Sequence, residues 1–271
     1  MNFRVFSAIV ASFICAICFV PIANAESGRT TCNTRGLVTP SGQSTGRWET
    51  VAAIKGGISS LVKVNENWYE CVGGGSTRGI HYVVGVIPGM TADESAKYVH
   101  GEMIKALAED RATNFQPYKQ TTQPDGTVKE TGGSAGDVDD FKRVKDGVVA
   151  KLVADHGMKN VKTTATKIGG MKVSEFLEAG ADAIKAGKAF EVDIDMGGGA
   201  GHFAFVGEVV RRGNEWGVII ADDNQNNGKP ETRPRGPYFF PDGGGCYSFD
   251  LEGNRISCTY KLRGALIEEK G

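Results

Sequence analysis

The stretch Gly201-His202-Phe203-Ala204-Phe205-Val206, followed by Gly217-Val218-Ile219-Ile220-Ala221-Asp222-Asp223-Asn224-Gln225, decides how this chain is read. The two apolar runs flank Arg211-Arg212-Gly213-Asn214-Glu215. Gly-Asn between such runs is a hairpin signal, because both residue types accept the positive φ that a tight turn demands. With Gly213-Asn214 as a two-residue loop, His202 faces Gln225. A longer loop or a bulge moves the partner to Asn224, Asp223 or Asp222. In each register a histidine at the start of one strand meets an acid or amide at the end of its neighbour. Such a partner holds an imidazole in one tautomer and one orientation, as a catalytic base requires.

Outward from this hairpin, the pattern is helices first and antiparallel strands last, which predicts an α+β fold with N-terminal helices packed on a C-terminal sheet. Trp48 to Leu61 has helical spacing, with Trp48, Val51, Ala52 and Ile58 on related faces. Trp68 to Val72 and Ile80 to Ile87 read as strands. Thr91-Ala92-Asp93-Glu94 is a capping box that opens a helix to about Asp110. Asn114 to Gly136 is polar and reads as a long surface loop or flap. Asp137 to Asp155 and Val173 to Ala186 are helical, ended by Gly157 and Gly187. Short strands are expected at Asn160–Thr164, Ala189–Ile194, Cys246–Phe249, Ile256–Leu262 and Ala265–Glu268.

The first 25 residues read as a signal peptide. Arg4 supplies a positive start, Ala8 to Val20 is almost wholly apolar, and Ala23-Asn24-Ala25 has the small-x-small form of a cleavage site. Glu26 to Gly271 then reads as a single exported α+β domain, either secreted or periplasmic. The formal net charge of the 271 residues is -1, which gives no footprint for nucleic acid or an anionic membrane. No later apolar run is long enough for stable membrane insertion.

Past the signal segment stand Cys32, Cys71, Cys246 and Cys258. An even count in an exported chain points to disulfides. Asp250-Leu251-Glu252-Gly253-Asn254 reads as a turn, and folding about Glu252 sets Cys246 opposite Cys258. Cys32 and Cys71 are then left for each other, closing a loop of about 40 residues that would stabilise by roughly 3–4 kcal/mol.

A helix, a strand, then a small-residue-His strand hairpinned to a strand that ends in Asp/Asn resembles the C-terminal half of papain-like cysteine hydrolases, with Phe176 to Asn224 as the matching run. The resemblance implies a papain-like fold and a peptidase or amidase. It makes His202 the base and Asp222 or Asn224 the orienting group. The family sets its cysteine at the start of a central helix. Gln43 resembles the oxyanion-hole glutamine and Trp48 the residue after the nucleophile, but Arg47 stands where the cysteine belongs. Cys71 is the remaining nucleophile candidate and keeps the order Cys–His–Asp/Asn, although Gly73–Gly75 and an expected strand follow it. The competing reading is a non-catalytic secreted binding or effector protein held by two disulfides. The partner is a peptide or protein in either case.

No cofactor or metal is expected. The four histidines, His81, His100, His156 and His202, are scattered. A calcium loop from Asp223 would put Gln225 and Pro234 where acids belong. Gly73–Gly75, Gly197–Gly199 and Gly243–Gly245 read as loops, since none continues as Gly-Lys-Ser/Thr into a helix. Asp193 and Asp195 alternate with Ile194 and are expected to face solvent. Pro237-Tyr238-Phe239-Phe240-Pro241 is expected to pack the preceding loop onto the sheet.

Overall fold

A computed structural model describes residues 48–55, 75–110, 119–122, 128–131, 136–197, 200–221, 237–249 and 253–271. The expected signal segment, Cys32, the Trp68–Val72 strand, Cys71, Asp222 and Asn224 lie outside them.

Local signals set the two longest helices. In α2 (Ala92–Glu109), Thr91 Oγ1 accepts from the Glu94 amide at 3.2 Å and Glu94 Oε2 accepts from the Thr91 amide at 2.9 Å. This reciprocal capping box satisfies two of the amides that a helix start leaves open. In α3 (Val138–His156), Asp137 accepts from the amides of Asp139 and Asp140, and Gly157 closes the helix at φ 61°. A left-handed residue at that position favours glycine.

The sheet is antiparallel throughout. Its order is β10 (Arg255–Ser257), β9 (Tyr247–Phe249), β8 (Tyr238–Phe239), β7 (Glu215–Ile220), β6 (Ala200–Arg212), β5 (Ala189–Gly197), β11 (Lys261–Lys270) and β4 (Val161–Lys167). β5 pairs with the first half of β6, and β1 (Glu49–Ala53) pairs with its second half. α1 (Gly75–Val84), α2 and α3 bury Ile80, Val83, Val99, Met103, Leu107, Phe141 and Val148 in one core with Phe203 and Phe205. α4 (Val173–Lys185) covers the other face, where Phe176, Leu177 and Ile184 meet Val192, Ile194, Ala204 and Val206. Strand alternation supplies both faces of β5 and β6 with apolar side chains.

Several expectations are corrected. Trp48 to Leu61 was expected to begin as a helix, but Glu49–Ala53 is strand β1. The edge of β6 that β5 leaves uncovered offers it a ladder, and that long-range pairing outweighs helical spacing. Ile80 to Ile87 was expected as a strand, but its start lies in helix α1. A short apolar run fits either element; here Ile80 and Val83, one turn apart, are the apolar positions of α1 buried in the core. Strands are not confined to the C-terminal part, since β1 and β4 enter the same sheet. The polar segment 114–136 includes a separate two-stranded ladder of β2 (Lys119–Thr122) and β3 (Val128–Thr131). The expected Ile256–Leu262 strand ends at Ser257 and β11 begins at Lys261. Cys258 is tied to Cys246 within the β9–β10 ladder, while Lys261 onward must cross to β5, so one straight strand cannot serve both.

Candidate functional site

The β6–β7 hairpin has the expected two-residue turn, with Arg212 paired to Glu215 across Gly213 and Asn214. A bulge at Gly207 then shifts the register, so that the last pair is Val206 with Ile220. The bulged carbonyl is used: Gly207 accepts from the Ile54 amide at 2.9 Å. His202 occupies a backbone position opposite Ile194 on β5. Position 202 alternates in step with Ala204 and Val206, the face that α4 covers.

One residue earlier, Gly201 lies under the guanidinium of Arg263. A Cβ at Gly201 would sit 2.5 Å from Arg263 Nη2. The guanidinium is fixed there by Asp193, which accepts from Nε at 3.1 Å and from Nη2 at 2.6 Å. Asp193 is 2% exposed, so the expected solvent-facing role is corrected. The bulge in β11 between Leu262 and Gly264 is what brings Arg263 over the strand. Burial raises the Asp193 carboxyl above the usual range, Arg263 opposes it, and Asp137 and Asp195 add to the rise.

Helix α1 begins at Gly75, four positions after Cys71 in the sequence, where a glycine-rich loop leading to the Ile80–Ile87 strand was expected. α1 is seated against β5 and β6: Tyr82 packs on Phe205 with ring centroids 5.7 Å apart, and Gly79 approaches Glu191. Tyr82 Oη also accepts from the Lys55 amide at 2.9 Å, which joins α1 to the end of β1. His81 on α1 is buried, and desolvation draws its pKa down to about 4 against a hydrogen bond with the Ser95 backbone.

Beneath Gly79 lies a charged cluster that sequence reading missed. Lys145 Nζ is 2.8 Å from both Glu191 oxygens and 2.9 Å from Glu268 Oε1, and all three side chains have no exposure. The Glu268 contact is an ion pair by distance, yet neither Glu268 oxygen has a well-directed hydrogen bond. The signals were present: Lys145 interrupts the apolar stripe Phe141-Val144-Val148-Leu152, and Glu191 stands between Phe190 and Val192.

The disulfide Cys246–Cys258 forms as expected, with Cα atoms 5.0 Å apart. Phe239 and Phe240 are buried, but Tyr238–Phe239 is itself strand β8 of the sheet, and the preceding loop they were expected to pack lies outside the described residues. Trp48 stacks on Phe249 and meets Phe239 edge-on. Among the described residues, no group of three or more His, Cys, Asp or Glu is placed to hold a metal ion, and no helix is long and apolar enough to cross a membrane. A shallow hollow of about 140 Å³ lies between α2 and α3, lined in part by Glu102, Lys105 and Lys151, away from β6. Searches with protein-family models and with curated proteins find no match for the chain.

Proposed function

We propose that the protein is an exported papain-like thiol hydrolase, a peptidase or amidase, with Cys71 as nucleophile, His202 as base and Asn224 as the group that orients the imidazole. The observation that carries this reading is α1, a helix seated on the sheet that bears His202 and beginning four residues after Cys71. A helix start favours a thiolate, because its open amides and partial positive charge stabilise the anion. We take Asn224 rather than Asp222 as the orienting group because counting onward from the Val206–Ile220 pair matches 202 with 224. In the reaction, His202 takes the thiol proton, sulfur attacks the amide carbon, and the departing amine takes the proton back. Water then releases the acyl group from sulfur.

A second reading, a non-catalytic secreted binding or effector protein, has its own support. Position 202 alternates with Ala204 on the α4-covered face, whereas α1 lies on the face of Phe205. With Cys246 and Cys258 paired, Cys32 is the remaining partner for Cys71 in the mature chain.

Thiol counting on the mature protein, native and denatured, with mass mapping of each alkylated cysteine, separates the readings. A free Cys71 that alkylates quickly, with peptide or amide hydrolysis lost in His202→Ala, supports the hydrolase. Two intact bridges remove its nucleophile and leave the binding reading.

A further inference from the structure

We infer that Lys145 and Glu268 become joined by an amide bond inside the folded domain, with Glu191 as the proton acceptor. The inference is independent of the proposed hydrolase. It rests on three fully buried side chains from three elements, α3, β5 and β11, which the fold brings to one point.

The geometry divides the roles. Glu191 accepts from Lys145 Nζ through both oxygens at 2.8 Å, the arrangement in which a carboxylate can take the ammonium proton. Glu268 Oε1 is 2.9 Å from the same nitrogen, outside hydrogen-bonding direction. The nitrogen thus lies beside the Glu268 carboxyl group while Glu191 holds it through two well-directed hydrogen bonds, which sets amine, acceptor and carboxyl in one place. Gly79 closes the site from above. A Cβ there would lie 1.9 Å from Glu268 Oε2 and 2.1 Å from Glu191 Oε1, so only glycine lets α1 cover the cluster.

The resting cluster is an ion pair. Burial lowers the affinity of Lys145 for its proton, but Glu191 and Glu268 more than offset this and hold it above the ordinary value. Burial also raises Glu268, which favours its neutral acid form. From ammonium, Glu191 carboxylate and Glu268 acid, the step runs as follows. Lys145 gives one proton to Glu191. The amine lone pair forms a bond to Glu268 Cδ. The carbon–hydroxyl bond of Glu268 breaks, and the hydroxyl leaves as water with a second proton from nitrogen. The products are a neutral amide, a neutral Glu191 acid and one water, so atoms and charge balance without an oxidant. Two opposite charges are removed from a site that solvates charge poorly, which favours the products.

The test is the intact mass of the exported, folded protein. The expected mass is that of the mature chain, less the hydrogens lost to disulfides, less one further water. Tryptic digestion is expected to yield a branched peptide joining Val144–Lys151 to Gly264–Lys270, with the link mapped to Lys145 and Glu268. Glu191→Gln keeps the shape of the side chain but cannot take the proton, and it is expected to retain the full mass. A wild-type protein without the water deficit overturns the inference, whether or not the variant folds. A link that maps to Glu191 or Glu269 overturns it as well.

Discussion

Asp193 holds the guanidinium of Arg263 across Gly201, one residue before His202. The pair is unequal, because Asp193 is 2% exposed while the Arg263 side chain is 43% exposed. Removing the arginine strands a buried carboxylate; removing the aspartate frees an arginine that can reach water. Arg263→Ala is therefore expected to destabilise by about 3 kcal/mol, and Asp193→Ala by about 1 kcal/mol less. The arginine variant also carries a pH signature. Without its partner, burial leaves the Asp193 pKa above its unfolded value, so the loss is smallest at acid pH and grows as pH rises through the folded pKa. Urea unfolding at pH 4.5 and pH 7, with midpoints compared at constant slope, checks both statements.

His81 gives an acid sensitivity of opposite cause. Its folded pKa is lowered from 6.5 to about 4 by burial between α1 and α2. Below pH 6.5 the unfolded imidazole takes up a proton that the folded one refuses, so stability falls until about pH 4. The full difference corresponds to roughly 3 kcal/mol. His81→Gln is expected to be less stable than wild type at pH 7 and to lose less stability between pH 6.5 and pH 4. Parallel slopes for the two proteins in denaturant titrations across that range would refute the assignment.

The bridge between Cys246 and Cys258 closes a loop with a sequence separation of 12. A loop of that size stabilises by about 2–3 kcal/mol through the restricted unfolded chain. The double variant Cys246→Ser, Cys258→Ser is expected to lose that amount while keeping native circular dichroism, because Phe239, Tyr247 and Phe249 still pack beside the β9–β10 ladder. Thermal unfolding of both proteins under non-reducing conditions measures it.

Gly180 in α4 meets the ring of Phe190 so closely that a Cβ would lie 2.3 Å from Cε1 and Cζ. Phe190 is 1% exposed and has no room to turn aside. Gly180→Ala raises helix propensity but overpacks the core, and the second effect wins by about 1–2 kcal/mol. The nearby Asp242→Ala is expected to lose about 1 kcal/mol, since Asp242 caps α4 by accepting from the Ser174 amide at 3.2 Å and hydroxyl at 2.7 Å. Chemical denaturation of the two single variants and the wild type tests both.

The parts of the fold legible in the sequence are those fixed by neighbours along the chain. Thr91 and Glu94 announce a helix start because they bond each other three residues apart. Gly213 and Asn214 announce a hairpin because the turn needs their backbone angles. Cys246 and Cys258 could be paired because one short turn joins them. The misread segments lacked such closure. The segments around Val51 and Ile80 fit strand or helix equally; the ladder of β1 with β6 decided the first, and burial of Ile80 in the core with Phe203 and Phe205 the second. Asp193 alternates like a surface residue, but it lies on β5 between β6 and β11, and Arg263 is its ion-pair partner.

By itself, then, the sequence determined the capped helices, the β6–β7 hairpin with His202 near its start, and the Cys246–Cys258 bridge, because each rests on hydrogen bonds or covalent reach within a few residues. Tertiary structure alone decided that residues after Cys71 enter a helix seated on the sheet, and that Lys145, Glu191 and Glu268 share one fully buried site. Those features depend on which distant strands become neighbours. Burial sets the energy of a charge, and burial is a property of the assembled layers rather than of any segment.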